Sequence, residues 1–374
     1  MIDEGTIPGR LNRQSYALGP NLSVPDWWES LYEATPRRSI FLGKDWVQTW
    51  LKIYGQKFDG SWICWTGENN IVVGGCLIAW RKSGIAHASL RSIYINATGT
   101  THERTPLAEF NEILHVPGYE NVIALDLAAH LDSLPWLRLF VSGYEADTVL
   151  CRLVETYAPA VTVEHAIPAP YIDLLSLGES SFDAQLSSNT RSQVRRSRKM
   201  YEALFGPLKI NRAKSLEEAQ EFMAALARLH NIRRKSKGDQ GAFTSPQIVE
   251  FHKRLINRLW VTNGVDLIRC SAGESDIGYL YNFLDNGKVC FFQSGLVYGV
   301  DSRLKPGLIS HSLAIEYYRS VGAGEYDFLA GAAQYKNSLC HQQRSLRWAK
   351  IYRNHLGIRI LILIRAQWRK VFPA

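Results

Sequence analysis

The chain has no long apolar run. A membrane-crossing helix needs roughly 18 consecutive apolar residues, and the most apolar stretch, Ile360 to Ile364, falls far short. No stable membrane insertion is expected. The opening MIDEGTIPGR has neither the basic nor the apolar region of a secretory leader, which points to a cytoplasmic protein. Cysteines are few and scattered: Cys64, Cys76, Cys151, Cys270, Cys290 and Cys340 form no C-x-x-C pair and no cluster with histidine. That spacing argues against a zinc site or a disulfide framework. No metal is expected, and the thiols read as buried groups in a reducing compartment. Acidic residues are absent from position 328 to the end, and no tandem repeat is visible.

What is present is an ordinary globular composition over 374 residues, 46% hydrophobic and 21% charged, enough for about two domains at roughly 150 residues each. The formal net charge of +8 is unevenly placed. Residues 1–180 hold 13 basic and 20 acidic side chains, and residues 181–327 hold 21 and 15. Residues 328–374 add nine basic side chains and no acidic ones. An acidic first half joined to a basic second half suggests a polyanionic ligand on the second.

Strands alternate with helices throughout, which indicates an α/β (α+β) protein with mixed sheets flanked by helices. In the first half the pattern predicts helices within Trp27–Tyr54 and strands at Ser61–Trp65, Asn70–Trp80 and Gly84–Tyr94. It also predicts a short helix over Ala108–His115, a strand at Val122–Leu127, a helix from Ser133 to Ser142 and a strand or turn over Cys151–Thr162. Pro168 and Pro170 in IPAPYIDL mark a break that divides 1–166 from 167–374. Beyond it, helices are expected over Ser181–Phe205, Ser215–Arg233, Ser245–Asn263 and Gly307–Val321. Strands are expected at Leu208–Arg212, Val265–Ala272, Ile277–Asp285, Lys288–Val297, Tyr326–Leu329 and Leu346–Tyr352, and a basic amphipathic helix at Ile358–Phe372. The similar order of the two halves is what a distant duplication would leave.

The informative stretch is Lys288 to Trp348. The strand VCFFQSGLV runs into a loop, SRLKPGL, that opens a helix. A helix N-terminus presents unpaired N–H groups and the positive end of the dipole. Pro306 and Gly307 permit close backbone approach, Arg303 and Lys305 add charge, and Leu308 and His311 follow. This is a place for a phosphate or pyrophosphate, although a Pro-Gly before a helix taken alone is common and reads as a plain cap. Asp327, flanked by Tyr326 and Phe328, must be paired, solvated or shifted in pKa. It is either a general base or acceptor-amine anchor, or a structural partner for Lys336 or an arginine.

The second half resembles the GNAT-related acetyltransferases of the CelD/BcsL type, relatives of the Fem-type aminoacyl-tRNA-dependent peptidyltransferases. The resemblance is carried by LSSNTRSQVRRSRK (186–199), ARLHNIRRKSKGDQGAF (227–243), GYLYNF (278–283), FFQSG (291–295), KPGLISHSLAIE (305–316), YDFLAG (326–331) and AQYKNSL (333–339). In the first half FLGKDWVQTW (41–50) is similar to the opening helix of these proteins. LAEFNEIL (107–114) is similar to a short segment that places Glu109 and Asn111 among substrate contacts. The resemblance implies tandem GNAT-like domains, the first degenerate and the second holding the acyl donor. Ordinary GNAT enzymes use a longer Q/R-x-x-G-x-G/A loop, whereas this chain has R-L-K-P-G-L, the shorter form of the group it resembles.

On this resemblance, Gln293 and Ser294 lie where a GNAT strand splays and offers backbone N–H groups to the acyl carbonyl. Tyr335-Lys336 is similar to the aromatic–lysine pair of Fem-type enzymes, with the lysine stabilising developing negative charge. Arg191, Arg195 and Arg198 share one helical face, either converging on phosphate or forming a solvated basic face. His230, Arg233 and Arg234 form an acceptor wall, or in the case of His230 simply a residue at a helix C-terminus. Tyr279 and Tyr281 share a strand face.

The function expected is N-acyl transfer from acyl-coenzyme A to the amine of a small-molecule or saccharide acceptor, with no metal. One alternative uses aminoacyl-tRNA as donor. Another, from a different class, is a non-catalytic binding scaffold in polysaccharide assembly.

Overall fold

The computed structural model describes residues 11–81, 91–96, 106, 108–157, 161–178, 181–299, 301–331, 333–340 and 342–353. The chain forms two compact units, residues 1–166 with 346–374 and residues 167–345. The predicted basic helix at 358–372 lies outside the described residues.

In the first unit the elements run β1 (Asn12–Ala17), α1 (Trp27–Ala34), α2 (Lys44–Tyr54), β2 (Phe58–Thr66), β3 (Val72–Arg81), β4 (Ser92–Ile95) and β5 (Leu114–His115). They continue as α3 (Glu120–Ser133), β6 (Arg138–Tyr144) and α4 (Val149–Thr156), after which β7 (Val161–Asp173) leads into the second unit. That unit contains α5 (Phe182–Gln185), α6 (Ser188–Phe205), β8 (Leu208–Arg212), α7 (Leu216–Lys235), α8 (Pro246–Val261), β9 (Val265–Ala272) and β10 (Ser275–Asp285). It goes on through β11 (Lys288–Leu296), α9 (Pro306–Ser320), β12 (Glu325–Asp327) and α10 (Gln334–Leu339), and β13 (Gln342–Tyr352) then runs from residue 346 into the first unit.

The two units use one plan. In the first, the strand order is β1-β2-β3-β4-β6-β13, antiparallel except for the parallel pair β4/β6. In the second it is β8-β9-β10-β11-β12-β7, antiparallel except for the parallel pair β11/β12. Each parallel pair is joined by a crossover containing a helix, α3 or α9, as parallel strands require. The closing strands are exchanged along the sequence. Tyr171–Asp173 of β7 pair with β12, and Arg347–Tyr352 of β13 pair with β6. Residues 346–352 therefore join the first unit, whereas the linear division leaves them with the second.

Local chemistry explains most boundaries. Ser215 caps α7 by accepting from the Glu218 N–H, and Pro246 opens α8. Asn286 and Gly287, both at positive φ, make the tight β10–β11 turn. Four predicted elements differ. Val122–Leu127 lies inside helix α3, whose buried Ile123, Ala124, Leu127 and Leu131 follow a helical step. The β-branched pair is too short a window to show that step. Arg138–Tyr144 is a strand rather than a helix, and Val149–Thr156 is a helix capped by the Thr148 hydroxyl. Residues 108–113 are irregular, and Leu114–His115 is a short strand on β3.

Candidate functional site

The site begins where β11 and β12 part. Their pairing runs over Lys288–Glu325, Val289–Tyr326 and Cys290–Asp327 and then stops. Beyond Asp327 the chain follows β7 instead: Phe328 N–H donates to the Pro170 carbonyl (2.9 Å) and Gly331 N–H to that of Pro168 (2.9 Å). β11 continues beside β10 to Leu296, with a register shift that places Phe292 in a bulge between Tyr281–Gln293 and Asn282–Phe291. The main chain of Phe291–Leu296 thus has a strand on one side only among the described residues. Gln293 and Ser294 lie on that stretch, and the Gln293 side-chain oxygen accepts from Ser294 N–H (3.1 Å).

Two charged residues brace the diverging chain. The Lys336 ammonium, buried by the fold, donates to the carbonyls of Phe328 (2.6 Å), Leu329 (3.2 Å) and Ala330 (3.1 Å). Leu329 sits at φ 58°, a left-handed conformation that a branched residue adopts only under constraint. Asp327 is 2% exposed. It accepts from Leu329 N–H (2.7 Å) and from the Arg344 guanidinium (3.1 Å). Arg344 also pairs with Glu325 and lies over the Tyr171 ring at 3.8 Å. Of the two readings of Asp327, the geometry supplies the arginine partnership. Replacing Lys336 with methionine is expected to cost the second unit about 2–3 kcal/mol, because buried carbonyls lose their donor. Urea unfolding measures this, and unchanged stability would show that the ammonium does not brace the loop.

The loop before α9 gives a helix start without a side-chain cap and with no acidic residue in its first turn. Lys305 is its N-cap, and the Lys305 N–H donates to the Ser197 hydroxyl of α6 (2.9 Å). Pro306 and Leu308 are buried, and a Cβ on Gly307 would meet nothing closer than a Leu296 methyl at 3.4 Å. Arg303 is turned to Asp301 (2.7 Å), which pulls that carboxyl down to about 2. His311 is fully buried. It stacks on Tyr335 (5.2 Å) and contacts the Tyr326 hydroxyl (3.0 Å). Burial, with the Lys336 charge, lowers its pKa to about 3, so it is a neutral interior group rather than a phosphate ligand.

The predicted arginine convergence is not formed. Arg191 donates to the Ala184 and Leu186 carbonyls, and Arg198 turns to Ser312 and Asp183. Arg195 lines a shallow groove on α6 with Arg196 and Lys199. The faces differ because α6 packs on α9 through Val194 and Ser197, a choice invisible in the helical spacing of the charges.

On α7, His230 is buried while Arg233 and Arg234 are exposed. Arg233 lies over Tyr298 (4.1 Å) and Arg234 pairs with Asp239 (3.2 Å). Tyr279 donates to Asp276 (2.7 Å). Tyr281 is fully buried, its hydroxyl 3.4 Å from His252, so neither tyrosine forms part of an open wall.

The first unit treats its equivalent gap differently. Asn111 N–H donates to Gly143 O (2.8 Å), its side-chain amide to Ile95 O (3.0 Å), and the Asn96 amide to Glu112 O (2.7 Å). A Cβ on Gly143 would meet Ala108 O at 2.6 Å. The segment 108–113 therefore fills the space between β4 and β6, which makes Glu109 and Asn111 part of a plug rather than a ligand surface. Glu112, missed by sequence reasoning, accepts from the N–H groups of Ile113, Val149 and Leu150. Burial raises it to about 7. At the start of α3, Glu120 accepts from Gly118 N–H (2.9 Å), so a carboxylate of the chain stands where α9 has none. Arg344 was also missed, since nothing local marks it.

A sheet with a splayed parallel pair and an uncapped helix after its first strand is the architecture of a GNAT-type transferase. Residues 188–337 match the model of the Acetyltransferase (GNAT) domain, so the second unit carries such a domain. By fold the chain is similar to the crystal structure of FemX, with a TM-score of 0.58 at 11% identity over 90% of this chain and 97% of that one. It is also similar to L-PGS from Bacillus licheniformis, with a TM-score of 0.52 at 9% identity over 91% and 96%. A third similarity is to a conserved protein of unknown function from Bacteroides thetaiotaomicron VPI-5482, with a TM-score of 0.51 at 8% identity over 87% and 97%. At these identities the likeness is one of fold. No curated protein matches the sequence. Among the described residues no helix is long and apolar enough to cross a membrane, and no group of three or more His, Cys, Asp or Glu is placed to hold a metal.

Proposed function

We propose that the second unit moves an acyl group from acyl-coenzyme A to the primary amine of a small-molecule or saccharide acceptor, as an acyltransferase of the CelD/BcsL type. The observation that carries this reading is the pairing of an open splay in β11/β12 with an uncapped α9. The splay takes the thioester arm and its carbonyl, which the N–H groups around Gln293–Gly295 polarise. The α9 start, with Lys305, takes the pyrophosphate. Lys336 and Tyr335 hold the far wall, and Asp327 fixes it through Arg344. The first unit, plugged by 108–113 and with the Glu120 carboxylate in the first turn of α3, is a degenerate copy that binds no donor. Six unpaired, buried thiols support a cytoplasmic setting.

The second reading, aminoacyl-tRNA as donor, is favoured by the exposed Arg195, Arg196 and Lys199 of α6. The test offers acetyl-coenzyme A and charged tRNA separately with glucosamine, lysine and spermidine, and follows products by mass. Acetylated amine formed without tRNA, and calorimetric binding of one coenzyme A per chain, are expected. Turnover that needs tRNA and ignores thioesters would overturn the first reading.

A further inference from the structure

We propose that His230 is the proton acceptor for the attacking amine, a role that rests on the acyl-transfer reading and extends it. His230 lies in the last turns of α7, its side chain 7% exposed and edge-on to Phe243 at 5.3 Å. The ring meets the Ser294 main chain and the Gln293 side chain as hydrogen-bonding neighbours. Both follow the Phe292 bulge, on the stretch of β11 that has left β12. Its depth is set by backbone contact. A Cβ on Gly295 would lie 2.4 Å from the Leu226 carbonyl, so α7 rests directly on the strand one turn before His230.

The chemistry suits a base. Burial, with the nearby Arg234 charge, lowers the His230 pKa from 6.5. The imidazole is then neutral at pH 7, and a neutral imidazole has one nitrogen with a lone pair able to take a proton. Two other buried histidines of this unit are excluded. His252 and His311 are both pushed down to about 3 by burial and are enclosed by aromatic rings. Asp327 is committed to Arg344 and Leu329. In the step, the amine nitrogen bonds to the thioester carbonyl carbon and its proton passes to the His230 lone pair. The C–S bond then breaks, and the departing thiolate takes that proton from the imidazolium. Amide and free coenzyme A result, and the histidine returns to its neutral form.

The test uses the full chain with acetyl-coenzyme A and glucosamine, lysine or spermidine, following thiol release from pH 5 to 8. The His230→Gln variant keeps a hydrogen-bonding side chain, and its melting temperature checks the fold. It is expected to lose about 10²–10³ in kcat with the KM for acetyl-coenzyme A unchanged. Amine deprotonation alone gives log kcat/KM for the acceptor a slope of 1 against pH. The wild type steepens to 2 below the His230 pKa, and the variant does not. A folded variant with wild-type kcat, or with the same steepening, overturns the assignment alone. A wild-type chain that acetylates none of the amines overturns the acyl-transfer reading and this role with it.

Discussion

The Gly295→Val variant is expected to lose most of the stability of the second unit. Tyr279 and Gly295 are register partners on β10 and β11, and α7 crosses the strand at Gly295. A Cβ there would stand 2.4 Å from Leu226 O and 2.6 Å from Leu226 Cα. Both are backbone atoms of a helix interior, so no rotamer change relieves the clash. The helix must lift, and its buried Phe222, Met223 and Leu226 lift with it. Forced overpacking in a close-packed interior costs about 1–3 kcal/mol when it can be absorbed, so alanine is placed near the upper end of that range. Valine, with two further carbons, should exceed about 4 kcal/mol. Chemical unfolding of the two variants measures the difference. Alanine should also impair turnover more than its stability loss explains, because His230 rides on the same helix. A valine variant as stable as the wild type would show that α7 and β11 are not in backbone contact.

Acid is expected to unfold the second unit early. His252 sits among the rings of Phe243, Phe251, Tyr281 and Phe292, and His311 among Phe291, Tyr326, Phe328 and Tyr335. Each is lowered by burial from 6.5 to about 3. The sign follows from proton uptake. Below pH 6.5 the unfolded chain binds protons that the folded chain refuses, so stability is complete above 6.5 and is lost progressively as pH falls toward 3. Each histidine contributes about 1.4 kcal/mol per pH unit in that window, about 2.7 kcal/mol for the pair. His230, lowered in the same direction, adds to the loss. Asp266, raised by burial against its Arg212 and Tyr318 partners, opposes it at the acid end. Stability measured by urea unfolding between pH 6 and 5 should show most of this slope, and His252→Phe should remove the share of one histidine, about 1.4 kcal/mol per pH unit at most. A stability independent of pH over that unit would refute the buried neutral state of both rings.

How much of this was legible in the sequence differs between the halves. From residue 206 to 320 the elements lie within a few residues of their expected positions, because each carries its own punctuation. Gly206 ends α6 at φ 99°, Ser215 caps α7, and Asn286-Gly287 turns β10 into β11. Between 108 and 156 the reading failed. There the segment 108–113 has no regular structure of its own and is held by Asn96, Asn111 and Gly143, which come from separate parts of the chain. The candidate residues divide in the same way. The α9 start was legible because a strand, a Pro-Gly and a helix are adjacent in sequence. The partners of Asp327 and Arg198 were not, because Arg344 and Ser312 are brought to them only by packing.

The sequence by itself determined the alternation of strands and helices, the uneven charge and the helix that opens at Pro306. All are local, set by side-chain period, turn chemistry and backbone restriction within a few residues. The tertiary structure alone decided that the closing strands are exchanged and that one parallel pair stays open while the other is plugged. Each depends on what is excluded from water and what remains beside it. That is a property of residues distant in sequence, and no local pattern records it.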